Sequence, residues 1–247
     1  EKLMEMMALY CREGGKKLRR KCQEGLFNIC ERLAPKTTSE TSTPLHIVVC
    51  IDESSSMTLT DEHGISRYVH VRRAFQAFAE DRAGKAAHNN DEVVIITYNL
   101  QAQDRTQSGP VPLTADMDAI IGKPSMGGTN FSKALELAYA NFEKYLKNAG
   151  VASKELVLLF MTDGEDLYPS HSETAMNRIQ RLLSKQGDYH LYVIGFGDEA
   201  QTPFLQRLAE LGGGKYFPCS DGGQLVQQFE VISAEVSAPV MRSKSRP

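Results

Sequence analysis

Three short segments of the chain carry side chains whose types and spacing suit a hard divalent cation. Asp52, Ser54 and Ser56 form a D-x-S-x-S run, Thr129 follows Gly127-Gly128, and Asp163 precedes Gly164. Every candidate donor is an oxygen, and none is His or Cys. Such a set suits Mg²⁺ or Mn²⁺, with Ca²⁺ behind them, and does not suit Zn²⁺. The three hydroxyls are neutral, so Asp52 and Asp163 must supply the charge. An ion held mainly by neutral oxygens keeps most of its positive charge for an outside carboxylate. Taken singly, each residue has a plainer reading. Ser54 and Ser56 could cap a helix or fill a turn, and Asp163-Gly164 is a common turn dipeptide. The case rests on their falling together.

The elements around these segments decide whether they do. Leu45 to Asp52 is a short apolar run rich in β-branched residues and reads as a buried strand. Similar runs lie at Asp91 to Tyr98, Glu155 to Met161 and Tyr189 to Phe196, with a short last strand at Lys215 to Pro218. Helical periodicity places helices at Tyr68 to Asp81, Asn130 to Lys147, Glu173 to Ser184, Pro203 to Leu211 and Gln224 to Val236, and a short one at Thr114 to Ile121. Gly212-Gly213-Gly214 suits a helix C-terminus. Ala102 to Leu113 is polar with two prolines and can only be an edge strand or loop. The alternation predicts an α/β, doubly wound, mostly parallel central sheet with one antiparallel edge strand and helices on both faces. Ligands of such sheets sit beyond the carboxyl ends of the strands, where strand order reverses. All three segments fall at that edge.

In this context the pattern resembles the metal-ion-dependent adhesion site of von Willebrand factor A domains. The resemblance covers roughly Leu45 to Val236, and all five motif positions hold the family's residue types. It implies that Ser54, Ser56 and Thr129 hold the ion, with Asp52 and Asp163 acting largely through bridging waters and hydrogen bonds. It also implies a non-enzymatic module whose protein partner offers an Asp or Glu side chain to the metal. In integrin-type members the last helix moves as the metal shifts, which raises the same question for Gln224 to Val236. Gly127 and Gly128 are expected to let the loop turn tightly beneath Thr129. Met57 and the loop Thr58 to Ile65 should border the site. Glu53, Glu165 and Asp166 either tune the site or are solvated surface charge, and His63 reads as an exposed loop histidine.

Rival chemistries are poorer fits. A phosphoryl-accepting Asp52, as in haloacid dehalogenase–like phosphatases, would want a second Asp where Ser54 stands. Gly195-Phe196-Gly197-Asp198-Glu199-Ala200 matches a dinucleotide fingerprint, but it follows a late strand, and two acidic residues would oppose a pyrophosphate. Its glycines read better as a strand-to-helix loop.

Composition sets the outer limits. Across 247 residues, 41% are hydrophobic and 24% charged, enough to bury a core. With 28 Lys+Arg against 31 Asp+Glu, the net charge of -3 gives no electrostatic case for nucleic acid or an anionic membrane. No apolar run approaches the about 20 residues of a membrane span. The five cysteines contain no C-x-x-C pair. Their pattern suggests neither a disulfide framework nor a zinc site, and favours an intracellular location over an extracellular adhesion domain. The Asn130-Phe131-Ser132 sequon beside Thr129 points the same way, since a glycan there would block the site. A start at Glu1 is what a fragment of a longer protein would show, so the missing leader carries little weight. The expected division is a helical extension over residues 1–34, a Ser/Thr-rich linker over 35–44, the α/β domain over 45–238 and a tail over 239–247. In the extension, Leu18, Cys22, Leu26, Ile29 and Leu33 share one helix face, and the basic run from Lys16 to Lys21 reads as a solvated one.

Overall fold

The computed structural model describes residues 43–84, 90–107, 109–148, 154–187, 189–197 and 202–237. The expected N-terminal helices, most of the linker and the tail lie outside them. In chain order the elements are β1 (Leu45–Asp52), a 3-10 turn (Ser55–Thr58), α1 (Arg67–Ala83), β2 (Glu92–Tyr98), β3 (Ala102–Asp104), β4 (Val111–Pro112), α2 (Met117–Ile121), α3 (Phe131–Lys147), β5 (Glu155–Thr162), α4 (Pro169–Leu183), β6 (Tyr189–Phe196), α5 (Thr202–Leu211), β7 (Lys215–Cys219) and α6 (Gly222–Ser237).

Every residue of β1 is buried, as a strand covered on both faces requires. Leu45, Ile47, Val49 and Ile51 join one apolar cluster, and Val48 and Cys50 join the other. This is the two-residue period of a strand. Residues of β2, β5 and β6 divide in the same way. The first cluster is closed by α1, α2 and α6, and the second by α3, α4 and α5.

The sheet runs β3-β2-β1-β5-β6-β7. Strands β1, β2, β5, β6 and β7 are parallel, while β3 and β4 pair antiparallel with β2. The expected antiparallel edge is present in two short pieces, with Pro112 in the second. From β1 the chain steps outward to β2, then returns to build β5, β6 and β7 on the other side. Strand order therefore reverses between β1 and β5. Their carboxyl ends carry Asp52 and, one residue past the strand, Asp163.

Helix α4 starts at Pro169, four residues before the sequence periodicity shows it. Proline is pre-set for the first helical position, and the polar Ser170-His171-Ser172 turn gives no apolar signal. Helix α5 ends as its glycines predict. Gly213 has φ +70°, Gly213 N donates to the Glu210 carbonyl, and Gly214 N donates to that of Ala209. These are the two bonds of a Schellman cap. A Cβ at Gly214 would overlap the Leu191 backbone carbonyl, which has no freedom to move within β6. We expect Gly214→Ala to cost about 2–3 kcal/mol in urea unfolding; a loss near zero would mean that the β6–β7 junction yields.

At the amino end of the sheet, Arg82 and Asp91 form a fully buried ion pair at 2.7 Å. Asp91 also accepts from Leu45 N at 2.8 Å, and Arg82 donates to Ser237 Oγ at 3.0 Å. One pair of charges thus ties the start of β1, the end of α1 and the last residue of α6.

Candidate metal centre

The five predicted residues converge at the carboxyl ends of β1 and β5. Along β1 the even-numbered side chains face α3, and Asp52 keeps that phase. On β5, Thr162 lies one position beyond the Ile51–Met161 pairing and donates to Asp52 Oδ2 at 2.7 Å. Ser54 N donates to Asp52 Oδ1 at 2.8 Å. Asp52 is fully buried, with both oxygens held. Ser54 Oγ and Ser56 Oγ are 3.1 Å apart, and Ser56 Oγ donates to Asp163 Oδ1 at 2.7 Å. The capping alternative for Ser54 fails, because its side chain makes no cap bond to the 3-10 turn that follows. A Cβ built on Gly164 would lie 3.5 Å from Ser56 Oγ and 3.6 Å from Thr129 Oγ1. Both hydroxyls therefore face a residue with no side chain.

Loop geometry sets Thr129. Gly127 adopts φ +122°, its N–H donates to Ser55 Oγ at 3.0 Å, and its carbonyl accepts from Ser55 N at 3.0 Å. The two serine and glycine segments are stitched together by these bonds. Behind them Asn130 caps α3, accepting from Lys133 N, while Asp166 Oδ1 accepts from Phe131 N at 3.1 Å.

Burial pushes the Asp52 carboxyl up to about 7 against hydrogen bonds from Thr162 and Ser54 that pull it down, and Asp163 pushes it further up. Burial also raises Asp163, opposed by Ser56 and Arg67. Two acids this deeply desolvated call for positive charge nearby. Part of it is already there: Arg67 Nη1 donates to Asp163 Oδ2 at 3.0 Å.

Several neighbours depart from the sequence reading. Glu53 and Asp166 are buried rather than solvated, and of the three acids only Glu165 is exposed. Glu53 lies 2.9 Å from Arg105 and accepts from Ser125 Oγ at 2.8 Å, so it ties the β1 loop to two others. Met57 is fully buried in the core, so its side chain offers no exposed border to the site. His63 is exposed, as expected. Gly195 belongs to β6 rather than to a loop, and a Cβ there would crowd Tyr216 and Leu205. The sequence reading missed Arg67 and Thr162. A signal existed for Arg67, since a cation in the first turn of a helix opposes the helix dipole and needs a local reason.

The donors fit a hard divalent cation by type: the hydroxyls of Ser54, Ser56 and Thr129 and the carboxylates of Asp52 and Asp163 are all hard oxygens. The Ser54–Ser56 and Ser56–Asp163 contacts are hydrogen bonds that hold these oxygens together. Among the described residues no three His, Cys, Asp or Glu side chains converge as a metal cage. The cluster is instead two carboxylates with hydroxyls.

Fold and site together define a doubly wound α/β domain with an oxygen-donor cluster at its strand-order reversal. The von Willebrand factor type A domain family model matches residues 46–231, and the chain belongs to that family. Human inter-alpha-trypsin inhibitor heavy chain H4 is 26% identical over 215 residues, covering 81% of this chain and 21% of the relative. The chain thus spans about a fifth of that relative's length. Bacillus subtilis YwmC is 24% identical over 201 residues, covering 75% of this chain and 81% of that protein. A von Willebrand factor type A structure from Catenulispora acidiphila superimposes with TM-score 0.60 at 17% identity, covering 79% of this chain and 43% of that one. Proximal thread matrix protein 1 from the mussel byssus, solved with a zinc-occupied MIDAS motif, gives TM-score 0.58 at 19% identity, covering 79% and 46%.

Proposed function

We propose that the domain binds a divalent cation through Ser54, Ser56 and Thr129, with Asp52 and Asp163 balancing its charge, and presents it to an acidic side chain of a protein partner. The observation that carries this reading is the convergence of oxygens at one place: Ser54, Ser56 and Asp163 form one hydrogen-bonded run, and the Ser56 and Thr129 hydroxyls both face Gly164. The bound ion would supply a Lewis-acidic coordination position. Around it the chain's own residues do the rest. Thr162 and Ser54 N fix the Asp52 carboxylate, Arg67 holds Asp163, and the stitched Ser55–Gly127 loops hold Thr129. Asp52, Asp163, Arg67 and a doubly charged ion together keep one positive charge at the ion itself, which attracts an anion, while buried Asp166 and exposed Glu165 add negative charge around it.

Binding fits this site better than turnover. Asp52 is fully buried with both oxygens engaged, which is no posture for a nucleophile, and no second carboxylate stands at Ser54 to move a proton. The all-oxygen donor set favours Mg²⁺ or Mn²⁺. The zinc in the byssus protein's motif makes Zn²⁺ the second candidate. Cys50 and Cys219 are buried and unpaired, which supports a reducing, intracellular setting. Among the described residues no helix is long and apolar enough to cross a membrane.

Thermal unfolding with and without metal tests the proposal. Mg²⁺ at 100 times its Kd should raise the unfolding free energy by about 2.7 kcal/mol, reversibly with EDTA. If Mg²⁺, Mn²⁺ and Zn²⁺ all leave the melting curve where EDTA leaves it, the proposal fails.

A further inference from the structure

Six large apolar side chains are exposed among the described residues: Leu59, Leu100, Met126, Leu167, Tyr168 and Val231. Five of them sit on the loops that build the site. Leu59 follows the serine turn, Leu100 follows β2, Met126 precedes Gly127-Gly128-Thr129, and Leu167-Tyr168 follow the Asp163 turn. Leu100 and Leu167 flank the site directly. A Cβ built on Gly128, the residue before Thr129, would lie 3.2 Å from a methyl of each.

A second, independent feature lies in the backbone. Met126 has φ +65°, a left-handed conformation that costs a residue with a Cβ and that glycine would adopt freely. The fold enforces it. Met126 N donates to the Glu53 carbonyl at 3.1 Å, and Asn99 Nδ2 donates to the Met126 carbonyl at 2.7 Å. The reward is not burial, because the side chain is 55% exposed. Strain of this kind persists where it places a group for use, and methionine adapts to apolar partners.

We propose that Leu59, Leu100, Met126, Leu167 and Tyr168 form an apolar rim around the cation site, fitted to a protein segment whose acidic residue is flanked by large apolar side chains. The inference rests on the carboxylate-binding reading above, and specifies what surrounds the carboxylate. A divalent ion set in an apolar surround complements one anion with greasy neighbours. A highly charged acidic stretch would leave those leucines facing charge. Five of six exposed large apolar side chains falling on the loops at one pole are the ordinary mark of a docking surface.

Four capped tripeptides test this on the full chain in Mg²⁺, with affinities read by calorimetry: acetyl-Leu-Glu-Leu-amide, acetyl-Ser-Glu-Ser-amide and the two Gln counterparts. The Leu-flanked Glu peptide should bind roughly tenfold tighter than the Ser-flanked one, and either Glu peptide tighter than its Gln partner. Combining Leu100→Asn with Leu167→Asn should erase the flank preference while the affinity for Mg²⁺ alone stays unchanged. Met126→Gly, which suits the backbone, should weaken the preference with the protein still fully folded. Equal affinity for Leu- and Ser-flanked Glu peptides, with Glu still favoured over Gln, would overturn the rim alone. No advantage of Glu over Gln, or no binding of any peptide, would overturn the carboxylate reading and the rim with it.

Discussion

Replacing Asp91 by Ala is expected to cost about 3–5 kcal/mol of unfolding free energy, the largest stability loss we predict. The substitution removes the carboxylate from a guanidinium that is wholly inside the protein, and takes away the acceptor of Leu45 N. For a domain of this size that loss lowers Tm by about 2–4 °C per kcal/mol. The exposed Arg207–Glu173 pair is the control, since its arginine is 63% solvent-accessible. There Arg207→Ala should change stability by less than about 1 kcal/mol. A double replacement, Arg82→Met with Asp91→Leu, should recover much of the loss, because removing both charges spares the desolvation. Should Asp91→Ala unfold within about 1 kcal/mol of the parent, the pair is solvated in practice and the view of it as a buried tie is wrong.

Asp52→Asn is expected to do the opposite: weaken Mg²⁺ binding by about 10- to 100-fold while leaving the metal-free fold as stable as before, or more so. Asparagine is isosteric, and its oxygen can still accept from Ser54 N. What it removes is a charge that burial disfavours. The sign can be checked by pH. In the metal-free protein the Asp52 carboxyl is raised from 3.8 to about 7, so the folded state holds a proton that the unfolded state has released across that interval. Stability contributed by this group is present below about 4 and lost as pH rises toward 7. The variant should lack that component of the slope. Calorimetry for Mg²⁺ and urea unfolding in EDTA from pH 4 to 8 give both readings. Unchanged metal affinity would remove Asp52 from the site. A large loss of metal-free stability would make it a structural residue.

Much of the fold could be read from the sequence because buried parallel strands leave a strong mark. Leu45 to Asp52 and Tyr189 to Phe196 are found within their sequence bounds, since nothing but a two-sided strand needs such a run. Helix α4 was legible from Glu173 onward, where Met176, Ile179 and Leu183 turn inward, but not in its first turn. The five candidate positions could be picked out because their oxygen donors follow strand ends or, for Thr129, precede a helix. Their supports could not. Thr162 closes an apolar strand with no charge to mark it, Arg67 sits 96 residues from its partner Asp163, and the Glu53–Arg105 pair spans 52. Contacts between distant segments depend on sheet order, which periodicity does not give. Burial of Glu53 and Asp166 was missed for the same reason: a carboxylate in a loop looks solvated until its partners arrive from other loops.

The buried Arg82–Asp91 tie has a mechanical corollary. It gathers the start of β1 and the end of α6 at one pole, opposite the loops that carry Asp52 and Asp163. Tension transmitted through those two ends would enter and leave at that single pole and act on the tie there. The opposite pole would stay unstretched, so a grip there would keep its shape while the chain was pulled.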